Sequence, residues 1–107
     1  MANNYKNAKV DLTTTNATVL YTCPSATTTT IKSILVSEDS GSADTITVTI
    51  TDADSNVFSL FKVKAIGANG TVVLLTQPLV VQENEIIKVT AATANRLHVV
   101  ASLLEIN

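Results

Sequence analysis

The sequence has few charged side chains. Asp, Glu, Lys and Arg make up 15% of the 107 residues and hydrophobic residues 46%, whereas ordinary soluble domains are about 25% charged. The formal net charge is −2, so the chain has no excess of Lys and Arg to neutralise nucleic-acid phosphates or to bind an anionic membrane surface. We therefore expect no nucleic acid and no membrane among its partners.

A small domain with so few charges must cover its surface in another way. Thr, Ser and Asn can cover part of that surface. The remaining apolar surface predicts burial against other subunits, and so a homo-oligomer. A monomer coated with threonine hydroxyls is the alternative.

Aromatic residues and cysteine are also scarce. The chain has no Trp, two Tyr and two Phe, so it lacks the aromatic platforms on which sugar rings and unpaired bases stack. Cys23 is the one cysteine, which excludes an intrachain disulfide.

No apolar run approaches the ~18 residues that span a bilayer. Residues 1–7 lack the apolar stretch of a secretory signal, so we expect a protein that is made and used without export by its own signal.

The strongest pattern in the sequence is an alternation of threonine with branched apolar residues. Threonine occupies the odd positions from Thr45 to Thr51, and Ile or Val occupies the even ones. Because side chains on a strand alternate between its two faces, this segment predicts a strand with one apolar face and one hydroxyl face. Residues 29–36 predict another strand, and the polar loop 37–43 contains a Gly for turning. We interpret residues 27–51 as a β-hairpin.

Short β-patterns recur about every ten residues along the whole chain, and no segment shows a sustained helical period. This spacing predicts an all-β fold, a jelly-roll-like antiparallel β-sandwich of about eight short strands. A small closed barrel is the alternative. Residues 8–107 form the single domain, and residues 1–7 an N-terminal arm that either frays or reaches a neighbouring subunit, with Tyr5 as its anchor. The predicted core is Leu20, Leu35, Ile46, Val48, Ile50, Phe61, Val72, Leu74, Ile87, Val89, Leu97, Val99 and Leu103.

Two acidic stretches could bind a cation, but a structural interpretation is favoured for both. Residues 52–56 begin like a calcium loop, yet Val57 and Val63 stand where such a loop needs its Gly and its bidentate Glu. Glu38, Asp39 and Asp44 surround a polar loop that has no neighbouring His or Arg to tune them for acid–base work. We expect a polar turn and a solvated loop, and no metal site.

Cys23 and His98 could form a nucleophile and its base. Cys23 is better explained as a small buried residue at a strand end, and His98 has the opposite parity to Leu97 and Val99 on the last strand. No phosphate-binding Gly-rich loop is present. We therefore expect no catalytic residues, no cofactor and no enzymatic activity.

Several segments resemble small structural proteins of tailed-bacteriophage virions. The resemblance covers most of residues 17–106 and lies in strands and turns, although the family often has Asn at the position of Glu38. The similar segments are Thr18–Pro24, Ile31–Val36, Ser40–Val48, Leu79–Val81, Ile86–Val89, Ala94–Leu97 and Ser102–Ile106.

The resemblance implies a virion protein that is made in the host cytoplasm and whose partners are other virion proteins. The first candidate is a capsid decoration or cement protein that binds between major capsid subunits and stabilises the shell. The alternatives are a tail- or fibre-associated subunit, and a module that binds host glycans. The candidate subunit interface comprises the arm and the threonine face, that is Asn3, Asn4, Tyr5, Lys6, Thr45, Thr47, Thr49 and Thr51.

Overall fold

The computed structural model describes residues 2–107, which fold into nine β-strands. None of these residues lies in a helix long and apolar enough to cross a membrane. The strands are β1 (Asn3–Asp11), β2 (Thr18–Thr22), β3 (Thr28–Glu38), β4 (Asp44–Thr51), β5 (Val57–Ile66), β6 (Thr71–Leu75), β7 (Leu79–Val81), β8 (Ile86–Ala91) and β9 (Leu97–Ile106).

The strands form two antiparallel sheets that pack into a sandwich. The large sheet has the order β1-β9-β3-β6, and β7 also pairs with β3. The small sheet has the order β2-β8-β4-β5. Because β6 and β7 pair with successive parts of β3, they share one position in the large sheet, and the order becomes that of an eight-stranded jelly roll. The predicted fold class is confirmed.

The predicted hairpin at residues 27–51 is wrong, although both of its strands exist. β3 pairs with β9, β6 and β7 in the large sheet, whereas β4 pairs with β8 and β5 in the small sheet. The loop between them therefore crosses from one sheet to the other. An alternating pattern shows that a segment is a strand with one buried face, but two strands that cross the core show the same pattern as two strands that pair.

The core lies between the sheets and contains most of the predicted residues. Ile50, Phe61 and Val72 are partly buried and pack against it. Leu35 is a wrong prediction, since it is only half-buried while Ile34 and Val36 are buried. The predicted residues that are fully in the core are Leu20, Ile46, Val48, Leu74, Ile87, Val89, Leu97, Val99 and Leu103.

A bulge in β3 explains the error at Leu35. The pairing of β3 with β9 shifts register between Ile31 and Ser33, so Lys32 is an extra residue on the β3 side. An extra residue in one strand changes which face the following side chains occupy. The core residues of β3 are consequently Ile31, then Ile34 and Val36.

Residues 3–7 were predicted to be part of an arm, but they form the first half of β1. Their partners run from Ile106 to Ser102 on β9. Ala2 and Asn107 continue this pairing with two backbone hydrogen bonds of 2.7 and 3.1 Å. Met1, the first residue of the predicted arm, lies outside the described residues. The segment is thus an edge of the large sheet rather than an extension from it.

Candidate assembly surfaces

The four threonines of β4 lie on the outer face of the small sheet and are half-buried there. On β8, Thr90, Lys88 and Ile86 lie opposite Thr47, Thr49 and Thr51. In β2, β8 and β4 together, the charged residues are the buried Asp44 and Lys88. The outer face of these strands therefore has a single charged side chain, and little charge must be desolvated when a neighbour covers it.

Two of the four threonine hydroxyls are poorly placed to contact a neighbouring subunit. Thr47 Oγ1 accepts a hydrogen bond of 3.1 Å from the backbone N–H of Val63. This N–H belongs to a bulge in β5, where Val63 has a φ of 51°. Thr51 Oγ1 is inaccessible and has no hydrogen-bond partner within residues 2–107. Thr45 and Thr49 are therefore the positions from which this face can present a hydroxyl to a neighbour.

The candidate residues of β1 divide between the two sides of the large sheet. Tyr5 is opposite Leu104 and Asn3 is opposite Ile106, so both lie on the outer face. Asn4 and Lys6 alternate with them and are opposite Glu105 and Leu103, which face the core. The eight predicted interface residues thus lie on opposite faces of the sandwich and cannot form one patch.

A buried polar network, which the sequence patterns do not predict, joins the two sheets. Tyr21 Oη donates a 2.5 Å hydrogen bond to Glu105 Oε2 and lies 2.7 Å from Thr29 Oγ1. Lys6 Nζ is 2.9 Å from Glu105 Oε1. Cys23 Sγ is 3.3 Å from Thr29 Oγ1. Because Tyr21 belongs to the small sheet and Glu105, Thr29 and Lys6 to the large one, these bonds tie the layers together.

The network changes the proton affinities of its members. The hydrogen bonds from Tyr21 and then Lys6 outweigh desolvation and hold the pKa of Glu105 below its usual value. Burial and the hydrogen bond to Glu105 raise the pKa of the Tyr21 hydroxyl well above its ordinary value. Glu105 therefore stays a carboxylate and Tyr21 a phenol, which is the combination in which the bond between them forms. The parity of Glu105 with Leu97, Val99 and Leu103 was the sequence signal for its burial.

Glu38, predicted to lie in a solvated loop, is buried and organises the crossing from β3 to β4. Its carboxylate accepts hydrogen bonds from the backbone N–H groups of Ser40, Gly41 and Asn69 at 2.6, 3.0 and 2.9 Å, and from the Ser40 hydroxyl. Desolvation acts to raise the pKa of Glu38, but these four bonds outweigh it and lower the pKa to about 2. Asp44 is also buried, and it accepts hydrogen bonds from the backbone N–H groups of Thr45 and Thr93.

The polar pairs that could have carried chemistry are separated or occupied. Cys23 follows β2, and its N–H bonds to Glu85 O. His98 lies at the other end of the sandwich, between Asp11 Oδ1 at 3.2 Å and Asp39 Oδ2 at 3.5 Å. The structure therefore does not bring Cys23 and His98 together.

The calcium-like stretch forms a turn. Asp52 Oδ1 accepts hydrogen bonds from the N–H groups of Asp54 and Asn56 at 3.0 and 2.9 Å. The bond from the Asn56 N–H is the main cause that lowers the pKa of Asp52. Residues 2–107 contain no group of three or more His, Cys, Asp or Glu side chains placed to hold a metal ion.

The fold, rather than the sequence, relates this chain to known proteins. No protein-family model matches the chain, and no curated protein does so either. Among solved structures, the chain is similar to a capsid structure of Helicobacter pylori bacteriophage KHP30, with 13% identity and a TM-score of 0.58 over 100% of this chain and 94% of that one. It is also similar to a Bacillus endospore-appendage protein of a family of disulfide-linked pili, with 7% identity and a TM-score of 0.58 over 97% and 85% of the two chains. At these identities the likeness establishes a shared all-β fold.

Proposed function

We propose that the chain is a structural subunit of a bacteriophage particle, and specifically a decoration or cement protein that binds between major capsid subunits and stabilises the shell. The observation that carries the proposal is the likeness to the phage capsid structure, because it extends over the whole jelly roll. The outer faces of both sheets, with few charged side chains, give such a subunit surfaces that can be buried. The proposal includes no enzymatic role and no cofactor.

The outer face of the small sheet is the surface we assign to contact with the shell. On β2, β8 and β4 this face has one charged side chain, Lys88, and the half-buried Thr45 and Thr49, whereas the exposed Lys62 and Lys64 lie on the edge strand β5. Hydroxyl groups that find partners on the neighbour cost little to desolvate compared with charges. Contact through this face leaves the buried Glu38 and Glu105 networks intact, so binding requires no refolding of the subunit.

Add-back binding to shells that lack the chain tests this proposal. The purified protein should co-sediment with such shells and raise the temperature at which they open. Thr49→Lys should weaken binding about tenfold or more, because it places a second cation beside Lys88 in a surface that is to be desolvated. Thr15→Lys, in the exposed loop between β1 and β2, is the matched control and should bind as the natural chain does. Failure of the natural chain to bind shells or other virion components would contradict the proposal.

A tail- or fibre-associated subunit is the second candidate. The likeness to a Bacillus endospore-appendage protein favours it, because that protein belongs to a family of pili, which are extended assemblies. Such a role would use the same outer faces of the two sheets, which have few charged side chains, in a repeating contact. Labelled antibody to the chain should then mark the tail rather than the head of the particle.

A further inference from the structure

The outer face of the large sheet has a symmetrical pattern of side chains. One row across the strands consists of Tyr5, Leu104, Thr30 and Val80, which are opposite one another in the strand pairing. A second row consists of Lys9, Val100, Leu35 and Val73. Between them lies a row of small polar residues, Asn7, Ser102 and Ser33.

Several apolar residues of these rows are open to solvent. Tyr5 is 79% exposed, Val80 55%, Val73 47% and Val100 37%. Lys9 is the one charged residue within the rows. Lys32, the exposed extra residue of the β3 bulge, lies beside the central row, where it lines a depression together with Asn7 and Ser102. Isolated exposed apolar residues are ordinary, but two parallel rows on one sheet face form a contiguous patch of the kind that marks an interface.

We propose that this face is the interface of a symmetric dimer of this chain. The two-fold axis lies in the plane of the contact and runs along the central row. Rotation about this axis places the first row of one copy over the second row of the other. Leu104 then lies over Val100 of the second copy, and Val80 lies over Val73 of the second copy.

The surface shape of this outer face is compatible with the proposed two-fold arrangement. A depression of about 250 Å³, lined in part by Lys9, Asp11, His98 and Val100, lies on β1 and β9 next to the second row. The rotation brings the Tyr5 ring of the other copy over Lys9 and into this depression. The small side chains of the central row allow the two sheets to approach to the ~10 Å spacing of packed sheets. In this arrangement the long apolar stem of Lys32 lies along the contact and carries its ammonium group to solvent at the rim.

The size of the face is also appropriate. Four strands spaced about 4.8 Å apart and about ten residues long cover on the order of 600 Å² in projection. Stable interfaces bury about 800 Å² of accessible surface on each partner, and a corrugated surface has more accessible area than its projection. The second copy is therefore an occupant that can cover both rows at once.

If the proposed shell contact is correct, the dimer has a further consequence. The two small sheets face away from each other on opposite sides of the dimer. One dimer can then meet two neighbouring shell subunits, one through each threonine face. This consequence rests on the proposed function, whereas the dimer itself does not.

Sedimentation equilibrium of the natural chain and of four single variants tests the dimer. The natural chain should sediment as a dimer, and Val73→Lys, Val80→Lys and Tyr5→Lys should each raise the dissociation constant about tenfold or more, because each places a cation in the contact. Val19→Lys is the control, since Val19 is 49% exposed on the small sheet, and it should remain dimeric. All five proteins should give the same circular dichroism spectrum, and Tyr5 is so exposed that its variant should fold even if another does not.

A compensating pair tests the direction of the axis. The double variant Val80→Lys with Val73→Glu should restore the dimer, because the axis along the central row places the two new charges against each other across the contact. A natural chain that is monomeric at high concentration, or dimers that survive the lysine variants of Tyr5, Val73 and Val80, would overturn the proposal. Dissociation by Val19→Lys would overturn it as well. These outcomes are independent of shell binding, which depends on the other sheet.

Discussion

At the scale of single residues, two buried carboxylates hold parts of the fold together through hydrogen bonds. Glu38 bonds the loop that crosses between the sheets, and Glu105 joins the two layers through Tyr21. Each carboxylate is buried together with the donors it needs. A buried charge that keeps its full set of partners is stable, whereas removal of one partner leaves the other uncompensated.

Glu105→Ala should lower the free energy of unfolding by about 2 kcal/mol, because it removes a charged hydrogen-bond acceptor from the buried Tyr21 hydroxyl. Tyr21→Phe should cost about 1 kcal/mol. The double variant should cost less than the two single variants together, since they share one bond. Lys62→Ala, which removes an exposed lysine outside the network, is the control and should change the free energy of unfolding by about 0.5 kcal/mol or less. Urea denaturation measures all four, and a Glu105→Ala protein as stable as the natural chain would refute this role.

The pKa of Glu38 predicts how stability depends on acid. Its folded pKa of about 2 lies below the model-compound value of 4.5, so between these two values the unfolded chain binds more protons than the folded one. The contribution of Glu38 is complete above pH 4.5 and declines as the pH falls towards 2. Glu38→Gln should therefore be less stable at neutral pH and should show a shallower loss of stability between pH 4.5 and 2. Equal slopes for the two proteins in urea denaturation would show that Glu38 does not titrate in this way.

At the scale of strands, the alternation of side chains predicted which segments are extended, and it placed β4 correctly down to its two faces. It could not show which strands pair. β3 and β4 are adjacent in sequence but belong to different sheets, and Glu38 fixes the loop between them by a hydrogen bond to Asn69 of a distant turn. The residue types around Lys32 give no signal of the bulge there. The alternation alone therefore predicted Leu35 in the core, whereas Ile34 and Val36 are the buried residues. Glu105 could have been found, since it continues the buried parity of β9.

The bulge in β5 stores strain that a substitution can release. Val63 is β-branched and has a φ of 51°, a conformation that costs non-glycine residues about 1–2 kcal/mol. Val63→Asn should raise the free energy of unfolding by about 1 kcal/mol, because Asn tolerates this conformation. Val57 is the control: it lies on the same strand with nearly the same exposure, 61% against 60%. Val57→Asn should give no gain, and equal effects of the two substitutions on the denaturation midpoint would show that the strain is negligible.

At the scale of the whole molecule, we relate the low charge content to two broad outer faces of the sandwich that the proposed contacts would bury. The threonine face of the small sheet and the apolar rows of the large sheet lie on opposite sides of the sandwich. The interface predicted from the sequence combined Tyr5 with the β4 threonines, and the structure separates them. Each side therefore has its own proposed partner, the shell for one and a second copy for the other.

The most direct test of the proposed virion role is a density map of the intact phage particle. We expect nine-stranded sandwiches at repeated positions on the head, each in contact with shell subunits through the outer face of the small sheet. Mass spectrometry of the same particles should find the chain in a fixed ratio to the major capsid protein. Purified, infectious particles that lack the chain and show no such density would contradict the proposed virion role.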